Sequence, residues 1–231
     1  MSFRQSESRP PRLVHVPTRG GGVRMLTVLD PVDDARFRSL VQRVAATIER
    51  ALGPAVLGNR AAPGPGLALR PWHPAWRRLV GARAGLRARG AVLLRADVRQ
   101  CYSSISDGAV HRALVRLGTH RDDATAIARE LDRFHGAGVL GLPIGPEASA
   151  VLANAVLRDA DLALEEAGCP HVRWVDDVWA AADTRARAER TLDRLRSALV
   201  RIGLEVNEGK TRVIVGADTG ALLGSGSDSS L

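Results

Sequence analysis

Two patterns of apolar residues alternate along the chain and divide it into predicted strands and helices. Short apolar runs predict strands at 12–16, 23–29, 91–98 and 211–215. Apolar residues that repeat with helical spacing predict helices at 34–52, 107–117, 122–134, 148–167 and 184–202. The mixture of both element types along one chain indicates an α+β fold.

The stretch 172–180 carries two adjacent acids, Asp176 and Asp177, with apolar, β-favouring residues on both sides of them. The β-favouring residues on both sides predict a tight hairpin with the acids at its bend. Ordinary turn chemistry also favours aspartate at such a bend, and this is the simpler explanation of the pair.

From residue 91 onward the predicted order is strand, helices, two-stranded hairpin, helix and strand. This order is typical of a split βαβ unit, a ferredoxin-like antiparallel sheet with helices on one face. In such a sheet the end of the first strand lies beside the tip of the central hairpin. We therefore expect Asp97, at the end of the first strand, to lie next to Asp176 and Asp177.

The segment before residue 91 predicts a smaller lobe with two basic features. A hairpin over 12–29 has a glycine-rich tip flanked by Arg19 and Arg24, which could clamp a phosphate or could simply be solvated. After a Gly/Pro/Ala loop at 58–66, arginines interleaved with tryptophans could track a nucleic-acid backbone or form a solvated helix face. The nucleic-acid-binding candidates are Arg70, Arg77, Arg78 and Arg83.

Composition favours a polyanionic partner. The 231 residues include 33 basic and 25 acidic side chains, a net charge of +8, which is typical of nucleic-acid-binding proteins; a compositional bias toward arginine is the alternative. The one lysine is Lys210 and the one tyrosine is Tyr102. Cys101 and Cys169 form no CxxC pair, so neither a disulfide framework nor a zinc site is indicated. No apolar run approaches the ~18 residues of a membrane span, so we expect a cytoplasmic protein with no membrane partner.

Two neighbouring aspartates repel each other, and a buried pair needs a cation or a basic partner. Mg²⁺ is the simplest neutralising ion, because it prefers hard oxygen ligands. If the sheet brings Asp97 to the hairpin, carboxylates from two segments converge in an arrangement that is used for two-metal phosphoryl transfer.

Four motifs in this order resemble those of reverse transcriptases. Residues 96–105 resemble the family's first catalytic motif, and residues 141–149, with the Leu-Ala-Asn at 152–154, resemble its second. Residues 175–177 are similar to its aromatic-x-Asp-Asp box, and residues 203–211 to the motif that follows. The resemblance covers roughly residues 12–215. It implies a reverse-transcriptase-like palm with a small fingers lobe, and RNA-directed DNA polymerase activity.

The resemblance also implies a metal site. Asp97 and Asp176 are expected to hold two Mg²⁺ ions, which Mn²⁺ could replace, with the Val98 carbonyl as a further ligand and Asp177 completing the site. Lys210 lies where the family places a lysine near the pyrophosphate, and is a candidate general acid. The expected partners are an RNA template, a DNA or RNA primer and dNTPs.

Substrate contacts are implied at five further positions. Tyr102 lies where the family places the aromatic residue that packs under the sugar and excludes a 2′-hydroxyl. Gly145 and Ser149 of the second motif are expected at the incoming nucleotide. Arg24 and Arg19 are expected to hold the triphosphate.

The resemblance is strongest to bacterial enzymes outside the retroviral group, such as those of group II introns, retrons and phage defence. It implies a fingers-like region at 11–90 and a palm at 91–215, between disordered tails at 1–10 and 216–231. We expect no thumb, and a partner protein or a structured RNA in its place.

Two other function classes are compatible with the same residues. One is an untemplated or primer-independent nucleotidyltransferase built on the same palm. The other is a non-catalytic, arginine-rich RNA-binding module. Product analysis with and without template separates the first from a polymerase, and metal-dependent dNTP turnover separates the second.

Overall fold

A computed structural model describes residues 8–17 and 21–215. Arg19 and most of the two predicted tails lie outside these residues. The described strands are β1 (Arg12–Pro17), β2 (Val23–Val28), β3 (Val92–Asp97), β4 (His171–Trp174), β5 (Asp177–Ala182) and β6 (Arg212–Val215). The described helices are α1 (Pro31–Ala51), α2 (Trp72–Arg89), α3 (Cys101–Ser104), α4 (Asp107–Arg116), α5 (Arg121–Gly136), α6 (Glu147–Glu166) and α7 (Arg185–Arg201).

The larger sheet is antiparallel and has the strand order β4-β5-β3-β6. Its central strand β3 pairs with β5 from Val92 opposite Ala182 to Asp97 opposite Asp177. With helices between β3 and β4 and between β5 and β6, this is the predicted split βαβ topology. The prediction of an α+β, palm-type fold is therefore confirmed.

The two faces of this sheet pack against different helices. Successive residues of a strand point to opposite faces. Leu94 and Ala96 of β3 belong to the main core, together with residues of α1 and α4 to α7. Leu93 points the other way and packs with Leu79 and Leu86 of α2. The helices of the split βαβ unit thus lie on one face, and α2, which precedes the unit, covers the other.

The burial of α2 has a simple energetic basis. Leu79 is 0% exposed and Leu86 is 4% exposed, and burying a leucine side chain contributes about 2 kcal/mol. The two leucines are seven residues apart, so they lie on one face of the helix. The remaining positions of α2 are mostly exposed and rich in arginine. Helix α2 therefore lies on the sheet along a narrow apolar stripe.

Strands β1 and β2 form a separate antiparallel hairpin. One connection to the palm is the backbone N–H of Thr27, which donates to the carbonyl of Ile144 at 2.7 Å. This bond places the hairpin beside the loop that precedes α6. Within the described residues, the structure contains no helix with the length and apolar character needed to cross a membrane.

Candidate active site

The candidate site lies where β3 ends beside the β4–β5 hairpin. Asp97 is the last residue of β3 and lies opposite Asp177, the first residue of β5. Asp176 occupies the turn between β4 and β5, and its carbonyl accepts a 3.1 Å hydrogen bond from the N–H of Val98. The topology expected from the sequence therefore brings the three acids to one end of the sheet.

The turn that carries Asp176 has an unusual backbone. Val175 has φ 57°, and a β-branched side chain rarely adopts this left-handed conformation. Strain of this kind persists only where surrounding contacts fix it, and it is concentrated at functional sites. Here the guanidinium of Arg173 donates to the Val175 carbonyl at 2.8 Å.

The surroundings of Asp176 disfavour the ionised form of its carboxyl group. Burial, and then repulsion from Asp97, raise the pKa of Asp176 to about 6. Lys210 acts in the other direction, because its charge favours the ionised form. Two hard-oxygen donors that repel each other fit a divalent cation such as Mg²⁺. Asp97, Asp176 and the Val98 carbonyl are the groups that could hold it.

Lys210 reaches the site through the segment that follows α7. The N–H of Asn207 donates to the Asp97 carbonyl at 2.7 Å, and a turn then closes from the Lys210 N–H to the Asn207 carbonyl at 3.0 Å. This turn brings the Lys210 Nζ within 3.3 Å of the Asp97 Oδ2. The single lysine of the chain therefore lies beside the first of the three acids, with half of its side chain exposed.

The carboxylate of Asp177 is hydrogen-bonded to side chains outside the Asp97–Asp176 pair. It accepts hydrogen bonds from Arg83 at 2.6 Å and from Arg95 at 3.1 Å. The indole N–H of Trp179 is a third donor, at 2.9 Å. In residues 8–17 and 21–215 no group of three or more His, Cys, Asp or Glu side chains is arranged to hold a metal ion. A site with Asp177 as third ligand would require these bonds to rearrange.

Arg83 was expected to bind nucleic acid, and here the prediction needs correction. It is 7% exposed, it is bonded to Asp177, and its guanidinium lies 4.7 Å from the centre of the Trp179 ring. Burial lowers the pKa of Arg83, and the charge of Asp177 opposes this effect. Arg83 therefore anchors α2 to the sheet and is not available to a phosphate.

The other three arginines of that group differ in accessibility. Arg77 and Arg78 are exposed on α2, as nucleic-acid contacts require. The guanidinium of Arg70 is bonded to the carboxylate of Glu49 and to the carbonyl of Ala61. Arg70 thus has partners within the protein, and Arg77 and Arg78 are the better placed candidates.

Tyr102 lies in the short helix α3, five residues after Asp97, and is half-buried. Its carbonyl accepts a 2.8 Å hydrogen bond from the N–H of Leu142. A Cβ added at Gly141, which has φ +60°, would lie 2.3 Å from the same carbonyl oxygen. Only glycine therefore allows this loop to pass so close to Tyr102. Burial raises the pKa of the Tyr102 phenol, and its hydroxyl accepts a hydrogen bond from Asn59 at 3.0 Å.

The remaining predicted substrate contacts occupy different environments. Gly145 has φ +129°, and a Cβ there would lie 3.4 Å from the Thr27 carbonyl oxygen of β2. Arg24 lies three residues earlier in β2 and is half-buried. Ser149 is 0% exposed within α6, and its buried hydroxyl has no hydrogen-bond partner among the described residues. Because Ser149 is enclosed, the structure does not support the predicted contact between its side chain and a nucleotide.

A polar network next to the site, buried except at the half-buried Asn59, was not predicted from the sequence. Its members are Asn59, Asn154, Asp161 and Arg173. One signal was present: Arg173 lies between the apolar residues Val172 and Trp174 of a predicted strand. A charged residue in such a strand indicates a buried partner.

Comparison with known families identifies the class of protein. Residues 39–226 match the family described as reverse transcriptase (RNA-dependent DNA polymerase). The match spans most of the chain, so the chain belongs to the reverse transcriptase family, whose members are nucleotidyltransferases. A search of curated protein sequences gave no match.

Solved structures of telomerases have a similar fold. The apo telomerase of Candida tropicalis superposes with a TM-score of 0.59 at 14% identity, covering 94% of this chain and 45% of the telomerase chain. The Candida albicans telomerase in complex with a TWJ fragment of telomeric RNA gives a TM-score of 0.53 at 12% identity, covering 94% and 43%. A C-terminally truncated apo C. tropicalis telomerase gives 0.55 at 13%, covering 90% and 50%. This chain therefore spans half or less of the length of these telomerase chains, and the likeness concerns the fold alone.

Proposed function

We propose that this chain is an RNA-directed DNA polymerase that adds dNTPs to a primer 3′-hydroxyl, with Asp97 and Asp176 at its catalytic centre. The observation that carries the proposal is the convergence of these two carboxylates beside Lys210, in a chain of the reverse transcriptase family. A purely structural role does not account for two repelling acids at the end of a sheet, because such a pair destabilises the fold.

A divalent metal pair, Mg²⁺ or Mn²⁺, held by Asp97, Asp176 and the Val98 carbonyl would supply Lewis-acid activation of the primer hydroxyl and of the α-phosphate. The chain's own residues then have separable tasks. The two carboxylates fix the position of the cations. Lys210, whose Nζ lies beside Asp97, holds a proton close to where the leaving pyrophosphate departs, and is the general acid of the proposal.

Substrate selection is assigned to groups around the same end of the sheet. The Tyr102 ring lies under the sugar and excludes a 2′-hydroxyl. Gly145, which has no side chain, leaves room for the incoming nucleotide beside β2. Arg24 of β2, together with Arg19, holds the triphosphate through charge-assisted hydrogen bonds.

The nucleic-acid partners are an RNA template and a DNA or RNA primer. The net charge of +8 supplies a general attraction to phosphates, and the exposed Arg77 and Arg78 are the proposed local contacts. Membership of a bacterial, non-retroviral subgroup tied to phage defence, and a cytoplasmic location, stay predictions from the sequence.

Template-directed addition to a primer tests the proposal. Purified chain is incubated with Mg²⁺, a primer annealed to RNA with one defined next base, and each dNTP in a separate reaction. We expect addition of the complementary nucleotide only, and none by Asp97→Asn. Asp193→Asn, at an exposed position of α7, is the matched control and should keep wild-type activity.

Two outcomes would overturn the assignment. Addition of every dNTP, or equal addition without RNA, would indicate an untemplated nucleotidyltransferase. RNA binding without turnover of any dNTP under Mg²⁺ or Mn²⁺ would indicate a non-catalytic binding module.

A further inference from the structure

We infer that the half-buried Asn59 is a specificity-determining residue that sets sugar selection by holding Tyr102, through a polar network whose other members are buried and also hold the acidic turn. The inference rests on the proposed polymerase function. Asn59 itself touches neither acid, so it acts as a positioning residue.

The network is anchored by a buried ion pair. Arg173 of β4 is 0% exposed, and its Nε and Nη2 donate to the two carboxylate oxygens of Asp161 on α6, both at 2.7 Å. A bidentate ion pair of this kind fixes the orientation of the guanidinium. The remaining Nη1 then points at the Val175 carbonyl, 2.8 Å away and one residue before Asp176.

Asn154 connects this ion pair to the loop at residues 55–59. It lies on α6, about two turns before Asp161. Its Oδ1 accepts from the Arg173 Nη1 at 2.9 Å. Its Nδ2 donates to the carbonyls of Gly58 at 3.1 Å and Asn59 at 2.9 Å. Both ends of this buried amide are thus used, and the backbone of the loop is fixed relative to the acidic turn.

The loop is also paired with β4 directly. The N–H of Leu57 donates to the Arg173 carbonyl at 3.0 Å, and the N–H of Arg173 donates to the Ala55 carbonyl at 2.8 Å. Gly58 passes so close to the turn that a Cβ there would lie 2.9 Å from the Val175 nitrogen. The loop is therefore paired alongside β4, the strand that leads into the acidic turn.

Asn59 ends the network at Tyr102. Its backbone has φ 55°, a conformation that asparagine tolerates better than most residues. From this position its Nδ2 donates to the Tyr102 hydroxyl at 3.0 Å. The side-chain amide of Asn59 thus fixes the tip of the ring, whose base is fixed by α3.

The consequence concerns selectivity more than catalysis. Exclusion of a 2′-hydroxyl is steric, so it depends on the position of the Tyr102 ring. A shift of about 1 Å at a reacting site can change rates up to about a hundredfold. The free energy of one ordinary hydrogen bond to the ring corresponds to a change of about tenfold in the ratio of two rates. We expect loss of Asn59 to raise the rNTP-to-dNTP ratio of kcat/KM about tenfold, while kcat for dNTP changes by less than about threefold.

Two substitutions at Asn59 distinguish the contribution of its side-chain amide from that of its left-handed backbone conformation. Asn59→Gly keeps the left-handed backbone accessible and removes the amide. Asn59→Asp keeps the shape and reverses the hydrogen bond, because the Tyr102 hydroxyl can donate to a carboxylate; the ring carbon then senses a different partner, and the ratio should change less than in Asn59→Gly. Tyr102→Phe breaks the same bond from the other side, and should raise the ratio as Asn59→Gly does. Gln42→Ala, which removes an amide from the outer side of α1, is the control and should change neither observable.

The first readout is independent of activity. Because Tyr102 is the one tyrosine of the chain, protein labelled with [¹³Cζ]tyrosine gives a single ring-carbon resonance. We expect both Asn59 variants to shift or broaden this resonance, and Gln42→Ala to leave it in place. The second readout is the ratio of kcat/KM for one rNTP and the matching dNTP on an RNA template.

The outcomes are distinguishable. An unmoved resonance, or a moved resonance with an unchanged nucleotide ratio, would overturn the role of Asn59 while leaving the polymerase assignment intact. A wild-type chain that adds no dNTP would overturn the polymerase assignment, and the selectivity role with it. A moved resonance together with a raised ratio supports both.

Discussion

Asparagine substitutions at the two adjacent aspartates of the β4–β5 hairpin should change the free energy of unfolding in opposite directions. Asp177→Asn removes the charge that Arg83 and Arg95 face at 2.6 and 3.1 Å. The Arg83 side chain is 8% exposed, so it loses a charged partner in a place that water scarcely reaches. Breaking a buried ion pair from one side costs about 3–5 kcal/mol. Because Arg95 is 23% exposed, we expect a loss of about 2–4 kcal/mol.

Asp176 is in the opposite situation, because burial and the charge of Asp97 raise its pKa to about 6. A folded-state pKa above the unfolded value means that the folded state binds the proton more tightly. This group therefore lowers stability as pH rises from about 4 to about 6. A difference of about two pH units corresponds to roughly 3 kcal/mol. Asp176→Asn should therefore raise the free energy of unfolding by about 1–3 kcal/mol at pH 8.

Urea denaturation in EDTA at pH 8 measures both effects without bound metal. Asp193→Asn is the matched surface control and should change the free energy of unfolding by less than about 0.5 kcal/mol. A pH series on the wild type and Asp176→Asn should show the difference between them shrinking as the pH falls from about 6 to about 4. Destabilisation by both hairpin substitutions, or by neither, would refute the electrostatic account of this site.

Two further predictions follow from the geometry. Gly141→Ala should destabilise the protein by about 2 kcal/mol or more in a thermal unfolding assay, because the new Cβ would meet the Tyr102 carbonyl. Gly138→Ala is the control: Gly138 also has a positive φ, but no atom lies within 4 Å of its added Cβ. Replacing Arg77 and Arg78 with glutamine should weaken RNA binding and reduce the slope of log K against log[salt] by about one to two, measured by fluorescence anisotropy, and an unchanged slope would exclude both side chains as phosphate contacts.

Most of the fold was predictable because its signals are local. The helix expected at 184–202 is observed as Arg185–Arg201, and the hairpin expected at 172–180 is observed as β4 and β5. Both are encoded by the spacing of nearby apolar residues. The position of Asp97 beside the hairpin followed from element order alone, since a split βαβ unit has one preferred strand arrangement.

The errors and omissions concern groups whose partners are distant in the sequence. Arg83 resembles its exposed neighbours on α2, and its burial depends on Asp177, 94 positions away. The bond between Asn154 and Gly58 joins residues 96 positions apart. No local pattern distinguishes such an arginine or asparagine from a solvated one. Their roles become visible only when tertiary packing shows that water is excluded and a partner is present.

The central claim is that Asp97 and Asp176 carry metal-dependent nucleotide addition. Its most direct test is the single-turnover rate at which one complementary dNMP is added to a primer on RNA, at saturating Mg²⁺. We expect Asp97→Asn and Asp176→Asn to lower this rate at least about a thousandfold, with Asp193→Asn unchanged, although Asp176→Asn is predicted to be the more stable protein. A rate within about tenfold of wild type for either substitution would contradict the account.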